Sequence, residues 1–201
     1  MHDKNGLTLF TVGHSTHSVE YFIGLLKKHG ITAVSDVRSQ PYSQFNPQFN
    51  RESLKEELKK NDIEYVFLGK ELGARSENPR CYIDGKVQYN YLVDEPLFKQ
   101  GINRLVRGMK QYSIALMCAE KDPITCHRMI LVCREMRSIA GQINHILANG
   151  EIETNSDAEN RLMNTLKIIP DMFKSKDECI EDAYDMQGQR IAYTEKEATT
   201  G

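Results

Sequence analysis

No apolar run in this 201-residue chain approaches the roughly 20 residues that a membrane-spanning helix needs, so no membrane partner is expected. The opening Met1-His-Asp-Lys-Asn lacks the pattern of a secretory signal. Cysteine is scarce and odd in number, five in all, with no framework spacing, which argues against disulfide staples. A reduced, cytoplasmic setting is the expectation, with thiols that serve the core or the chemistry. An excess of one charge is also missing. Lys and Arg total 26 against 28 Asp and Glu, for a formal net charge of −2. No global basic field therefore drives non-specific nucleic-acid binding, although a local basic groove can sit inside a neutral total. Neither a Walker phosphate loop nor a dinucleotide fingerprint occurs, so ATP or NAD dependence is not expected and no cofactor is assigned. Internal repeats and low-complexity blocks are absent too.

What is present is the composition of a globular domain, 40% hydrophobic and 27% charged, long enough to bury one sizeable core. Leu7 to Val12 is β-prone and ends at Gly13-His14-Ser15. Ser18 then caps a helical stripe of Val19, Phe22, Ile23 and Leu26, which Gly30 terminates. The rhythm repeats. Strand-like runs at Ile31 to Val37, Ile63 to Leu68, Ser113 to Met117 and Ile143 to Leu147 alternate with helical patterns. Those patterns are Arg51 to Lys60 with Asn50 as cap, Pro96 to Gln111 with Leu97, Ile102, Leu105, Val106 and Met109 inward, and Thr125 to Met136. Strands alternating with helices imply crossover connections, hence an α/β fold with a mainly parallel sheet flanked by helices, a Rossmann-like three-layer sandwich.

One α/β domain over residues 1–193 is expected, with a polar, turn-rich excursion near 71–93 serving as a flap or surface loop. Beyond Pro170 the periodicity fades. Ile191-Ala-Tyr193 is expected to dock on the body, and residues 194–201 to form a flexible tail.

In an open parallel sheet, ligands bind beyond the carboxyl ends of the strands. Here those ends carry Gly13-His14-Ser15, Asp36-Val37-Arg38, Leu68-Gly69 and Cys118-Ala119-Glu120, so the chemically capable residues gather on one rim. His14 reads as base, acid or ligand in the crevice, against the ordinary fate of a solvated loop histidine. Asp36 and Arg38 lie two apart and face one way. They suit a general base beside a phosphate clamp, or a structural ion pair. Glu120 suits a general acid or base, and Cys118 a nucleophile or a packing thiol.

Cys126 divides according to where its helix begins. With Asp122 as cap and Pro123 in the first position, it joins the buried stripe of Met129, Ile130 and Cys133. With Thr125 as cap, Cys126, His127 and Arg128 fill the first turn, where the helix dipole activates a thiol. The Asp-Pro opening favours the first. Arg128 stays near the rim either way, to bind an anion or pair with Glu120. The spacing C-x-E-x5-C-H matches no zinc pattern, so no metal is assigned to Cys118, Cys126 and His127. The loop "SQPYSQFNPQF" sets Tyr42, Phe45 and Phe49 among amides, which suits either nucleobase stacking or a lid packed on the body.

The combination of "TVGHS", "DVRSQPYSQFNPQFN", "FLGKELG", "LMCAEKDPITCHR" and "QRIAY" resembles the domain of unknown function family 488. That resemblance implies an α/β domain of bacteria and archaea with no established reaction, and some members carry labels linking them to DNA repair. Gly13, Ser15, Arg38, Ser43, His127 and Arg128 make up the substrate-binding set, and His14, Asp36, Glu120, Cys118 and Cys126 the catalytic set. The leading expectation is an enzyme, a hydrolase or lyase without a nucleotide cofactor. It would use acid–base chemistry on a phosphate-bearing small molecule or a nucleic acid. A non-catalytic anion-binding or nucleic-acid-binding module and a thiol or metal site are the alternatives.

Overall fold

Strand β1 (Thr8–Gly13) runs through the middle of the molecule in a computed structural model that describes residues 6–195. It pairs in parallel with β6 (Ile114–Cys118) on one side and β7 (Gln142–Ile146) on the other. β2 (Ala33–Asp36) and β3 (Glu64–Phe67) extend the parallel sheet past β6, and the short antiparallel β8 (Ile152–Thr154) closes the far edge. The order is thus β3-β2-β6-β1-β7-β8. A second, two-stranded hairpin, β4 (Tyr82–Ile83) with β5 (Lys86–Val87), lies in the excursion.

Side-chain alternation along β6 assigns the two faces. Ala115 and Met117 join Val12, Val34 and Ile146 beneath α1 (Val19–Lys28) and α2 (Arg51–Lys60). Ile114, Leu116 and Cys118 point the other way, into the larger core under α5 (Pro96–Met109), α7 (Asn155–Leu166) and α8 (Lys176–Ile191). Period two on a strand buried on both faces produces this division, and the result is the expected three-layer sandwich.

The chain leaves β1 and β2 toward the α1–α2 layer. It leaves β6, which lies between them, toward the opposite layer. Diverging connections open a crevice where they part, so the carboxyl ends of β1, β2 and β6 form the topological switch point.

Several elements differ from the sequence reading. The excursion is folded: besides the hairpin it holds α3 (Gly69–Leu72) at its start and α4 (Tyr89–Asp94) near its end. On α5, Ile102, Leu105, Val106 and Met109 pack on the core as expected and Phe98 and Gly101 join them, while Leu97 is exposed. Where periodicity faded past Pro170, α8 begins at a complete capping box between Ser175 and Glu178. Its buried face of Cys179, Ile180, Ala183, Tyr184 and Gln187 mixes small and polar residues, which blurs the hydrophobic contrast. Ile191, Ala192 and Tyr193 do pack on the core. Thr194 bridges Lys86 and the Glu195 N–H donates to the Gly85 carbonyl, so these two residues of the expected tail are paired; 196–201 lie outside the described residues.

Candidate functional site

The turns after β1 and β6 are stitched together by backbone. The His14 N–H donates to the Cys118 carbonyl at 2.9 Å, and the Ser15 N–H to the Ala119 carbonyl at 3.0 Å. A Cβ on residue 13 would overlap the Glu120 carbonyl oxygen, so only glycine admits this approach. Ser15 sits at φ 48°, the left-handed region, where it reverses the chain toward α1. Gly13 and Ser15 thus shape the turn that presents His14.

Asp36 ends β2 fully buried, and its carboxylate is completely engaged. Oδ1 accepts from the Arg38 N–H at 3.0 Å and Nε at 2.9 Å, and Oδ2 accepts from Arg38 Nη2 and Tyr65 Oη, both at 2.7 Å. Arg38 also donates to the Phe49 carbonyl and, through Nη1, to His14 Nε2 at 3.2 Å. Its fork is spent inside the protein. Burial works against the Arg38 charge, but the Asp36 carboxylate outweighs it and holds the guanidinium above its usual range.

One tautomer of His14 fits this setting. The Ser15 carbonyl can only accept, so Nδ1 carries the proton at 2.9 Å, and Nε2 turns its lone pair to Arg38. Burial, then the Arg38 charge, pull His14 down to about 4, so it stays neutral near pH 7. Its ring stacks on Phe49 with centroids 4.3 Å apart. Phe49 therefore packs on the body, while Phe45 in the same loop is 93% exposed and Tyr42 donates to Glu52. Ser43 serves the loop: its Oγ accepts from the Phe45 and Asn46 N–H groups, and its own N–H donates to Asn50 Oδ1. That bond occupies the Asn50 side chain, which leaves α2 without a side-chain cap.

A second cluster abuts the first. Asp122 and Pro123 open a 3-10 turn that stops at Thr125, and Cys126 follows in extended conformation, φ −130° and ψ 140°. His127 begins a π-helical segment, Arg128–Cys133, that runs into α6 (Arg134–Met136). Cys126 thus precedes the helix rather than standing on its stripe or in its first turn. Its side chain meets Cys118 and His127, with Sγ, Sγ and Nδ1 all within 4.8 Å of one another. Nδ1 lies 3.6 Å from the Cys118 sulfur and 4.0 Å from that of Cys126. Nε2 donates to the Val37 carbonyl at 2.9 Å, which turns Nδ1 toward the two sulfurs.

The two thiols titrate as a pair. The neighbouring Cys126 sulfur and burial push the Cys118 thiol well up. Burial alone would raise Cys126 as well. The Cys118 thiol beside it, the Arg128 charge and His127 reverse this and hold Cys126 well below the usual thiol range.

Arg128 is buried with no accessible surface. It donates to the Glu120 carbonyl at 2.6 Å, the Lys121 carbonyl at 3.2 Å and Thr11 Oγ1 at 3.4 Å. The guanidinium folds the 118–128 loop around itself, which brings two cysteines eight positions apart together. Glu120 contributes its carbonyl, and its side chain is exposed.

Sequence reasoning missed what lies behind Arg128. Thr11 Oγ1 donates to His145 Nδ1 at 2.8 Å, and His145 Nε2 donates to Asn155 Oδ1 at 3.1 Å. Asn155 Nδ2 then donates to Glu159 at 2.6 Å, and Tyr184 and Arg137 hold the same carboxylate at 2.8 Å each. Burial, followed by the Arg128 charge, lowers His145 to about 3. A histidine inside the apolar alternation of Ile143 to Leu147 was the available signal.

Beside the Arg38 turn lies a cavity of about 440 Å³, bordered by Ser39, Gln40, Gly69, Lys70 and Arg75 over a floor that includes Phe67 and Phe98. No helix is long and apolar enough to cross a membrane among the described residues.

No curated protein and no solved structure matches the chain. A family model does, described as domain of unknown function DUF488, over residues 18–134. That span holds Asp36, Arg38, Cys118, Cys126, His127 and Arg128, and it covers more than half of the sequence, so the chain belongs to the DUF488 family.

Proposed function

We propose that the protein is an enzyme of the hydrolase or lyase type whose reacting centre is the Cys118–Cys126–His127 cluster. One observation carries this reading. His127 Nδ1 lies 3.6 Å and 4.0 Å from the sulfurs of Cys118 and Cys126 at the carboxyl ends of β1, β2 and β6, with Nε2–H held by the Val37 carbonyl. A histidine that only packed would need one anchoring bond and no second nitrogen turned to two sulfurs. A histidine nitrogen beside a cysteine sulfur can take or give its proton and so generate an attacking group for an electrophilic substrate. His14, Arg38 and Asp36 brace the crevice wall, since their polar atoms are spent on one another.

The substrate is a small molecule with a phosphate or other anionic group, entering by the cavity that Lys70 and Arg75 border. These side chains take over the anion-binding role that the sequence suggested for Arg38 and Arg128. The test offers a phosphomonoester, a phosphodiester and nucleotides to the wild-type protein and to Cys126→Ala and His127→Gln. Both variants should lose about 100-fold or more in kcat with KM little changed. Lys70→Ala should raise KM with kcat preserved. Binding without turnover across the panel, or turnover undiminished in Cys126→Ala, overturns the reading.

A further inference from the structure

We infer that Cys118, Cys126 and His127 are the three protein ligands of a zinc-class divalent ion. The inference rests on the reading above for the place of the reaction, with the two sulfurs and His127 Nδ1 now holding the ion and the attacking group in its fourth position, while the ligand set stands on its own geometry.

Among the described residues this is the one group of His, Cys, Asp or Glu donors brought within 4.8 Å of one another in threes. The donor spacings suit one ion. A tetrahedral zinc centre with Zn–S near ~2.3 Å and Zn–N near ~2.0 Å holds its sulfur and nitrogen donors about 3.5 Å apart. The observed separations from Nδ1 are 3.6 Å and 4.0 Å, so sub-ångström movements close the set. Two thiols and an imidazole form a soft set that disfavours magnesium or calcium.

The histidine is also prepared as a ligand. Its Nε2–H is anchored on the Val37 carbonyl, the outer contact by which metal-bound imidazoles are oriented and made more basic. All three residues are buried, in keeping with a site that keeps its ion through purification.

The charges call for one more ligand. Two thiolates cancel a divalent ion, and Arg128 remains a fully buried cation whose contacts are neutral oxygens. An anion in the fourth position balances it, hydroxide at rest and the substrate's anionic group in turn. A three-ligand centre with an exchangeable fourth position is the arrangement of catalytic rather than structural zinc. The usual zinc spacings miss it because the Arg128-centred loop, not a short knuckle, brings Cys126 back to Cys118.

The experiment measures zinc, iron, copper and nickel in the untagged full-length chain, purified under reductant without chelator. About one equivalent per chain is expected. The stripped protein is then loaded with Co²⁺, which should give a thiolate-to-cobalt charge-transfer band and tetrahedral d–d bands. Cys126→Ser and His127→Gln should lose the ion, and Cys179→Ser, a buried thiol on α8, should retain it. Because the cobalt band is read on the wild type, misfolding of a variant does not blunt the test. Protein without bound metal and without a cobalt band overturns the inference, as does full retention in Cys126→Ser or a Cys118–Cys126 disulfide in place of an ion. A metal-free chain that still turns over its substrate sinks the ion alone. A loaded chain that turns over nothing upholds the ion and sinks the proposed activity.

Discussion

His127 Nε2 donates to the Val37 carbonyl at 2.9 Å, and this one bond ties the start of the π-helical segment to the end of β2. It crosses from the connection after β6 to the strand beside it, so the two turns that border the crevice are fixed together. His127→Phe keeps much of the ring volume and removes the donor. The buried carbonyl is left without its partner, at a cost of about 1–3 kcal/mol. Urea unfolding should show that loss, while His127→Asn, if its amide reaches Val37, should recover part of it.

Acid should destabilise the fold through two buried imidazoles. The unfolded chain takes up a proton on each near the ordinary histidine value of 6.5, whereas folded His14 does so only at about 4 and His145 at about 3. Stability is therefore complete above pH 6.5, falls as pH drops below it, and levels off for each group beneath its folded value. Each histidine removes up to about 1.4 kcal/mol per pH unit within its window. Unfolding free energies at about pH 7.5 and about pH 4.5 measure the slope. His14→Asn should roughly halve it, His145 supplying the rest, and a wild-type slope of zero would refute the neutral state assigned to both rings.

Glycines 13 and 24 should respond oppositely to alanine. At Gly13 the added methyl meets backbone, the Glu120 carbonyl, which cannot step aside without unfastening the turns of β1 and β6. Gly13→Ala is expected to cost more than about 3 kcal/mol, or to prevent folding. Gly24 is exposed on α1, with nothing within 4 Å of the added atom. Gly24→Ala should stabilise by up to about 1 kcal/mol. Thermal unfolding of the pair checks both signs.

The sheet and the rim were legible because they are written in local pattern. Alternating strand and helix periods revealed the strands that became β1, β2, β3, β6 and β7, and the residues at the ends of β1, β2, β3 and β6 pointed to one edge. Partnership was not legible. Asp36 and Arg38 share a face of β2 whether they wait for a substrate or hold each other. Only the arrival of Tyr65 from β3 and His14 from β1 reveals them as a closed network. Local pattern places Cys126 on the helix stripe for a related reason: its true position depends on a 3-10 turn ending at Thr125, beside the Arg128 bonds to the Glu120 and Lys121 carbonyls. Helix α8 stayed hidden because its buried face relies on Ala183, Gln187 and the tyrosine of the Glu159 network rather than on an aliphatic stripe.

Arg38 and Asp36 offer the sharpest energetic test, because removing one charge strands the other. Asp36→Asn leaves a buried guanidinium beside an amide, and breaking a buried pair in this way costs about 3–5 kcal/mol. Tyr65→Phe withdraws one hydrogen bond to the same carboxylate and should cost about 1.5–3 kcal/mol. Both residues act on Asp36 Oδ2, so the double variant Asp36→Asn with Tyr65→Phe should lose less than the sum of the two. Denaturant midpoints for the four proteins give the coupling directly. Strict additivity would mean that Tyr65 does not help to hold the Asp36 charge, and the account of the β2 terminus as a single electrostatic unit would have to be abandoned.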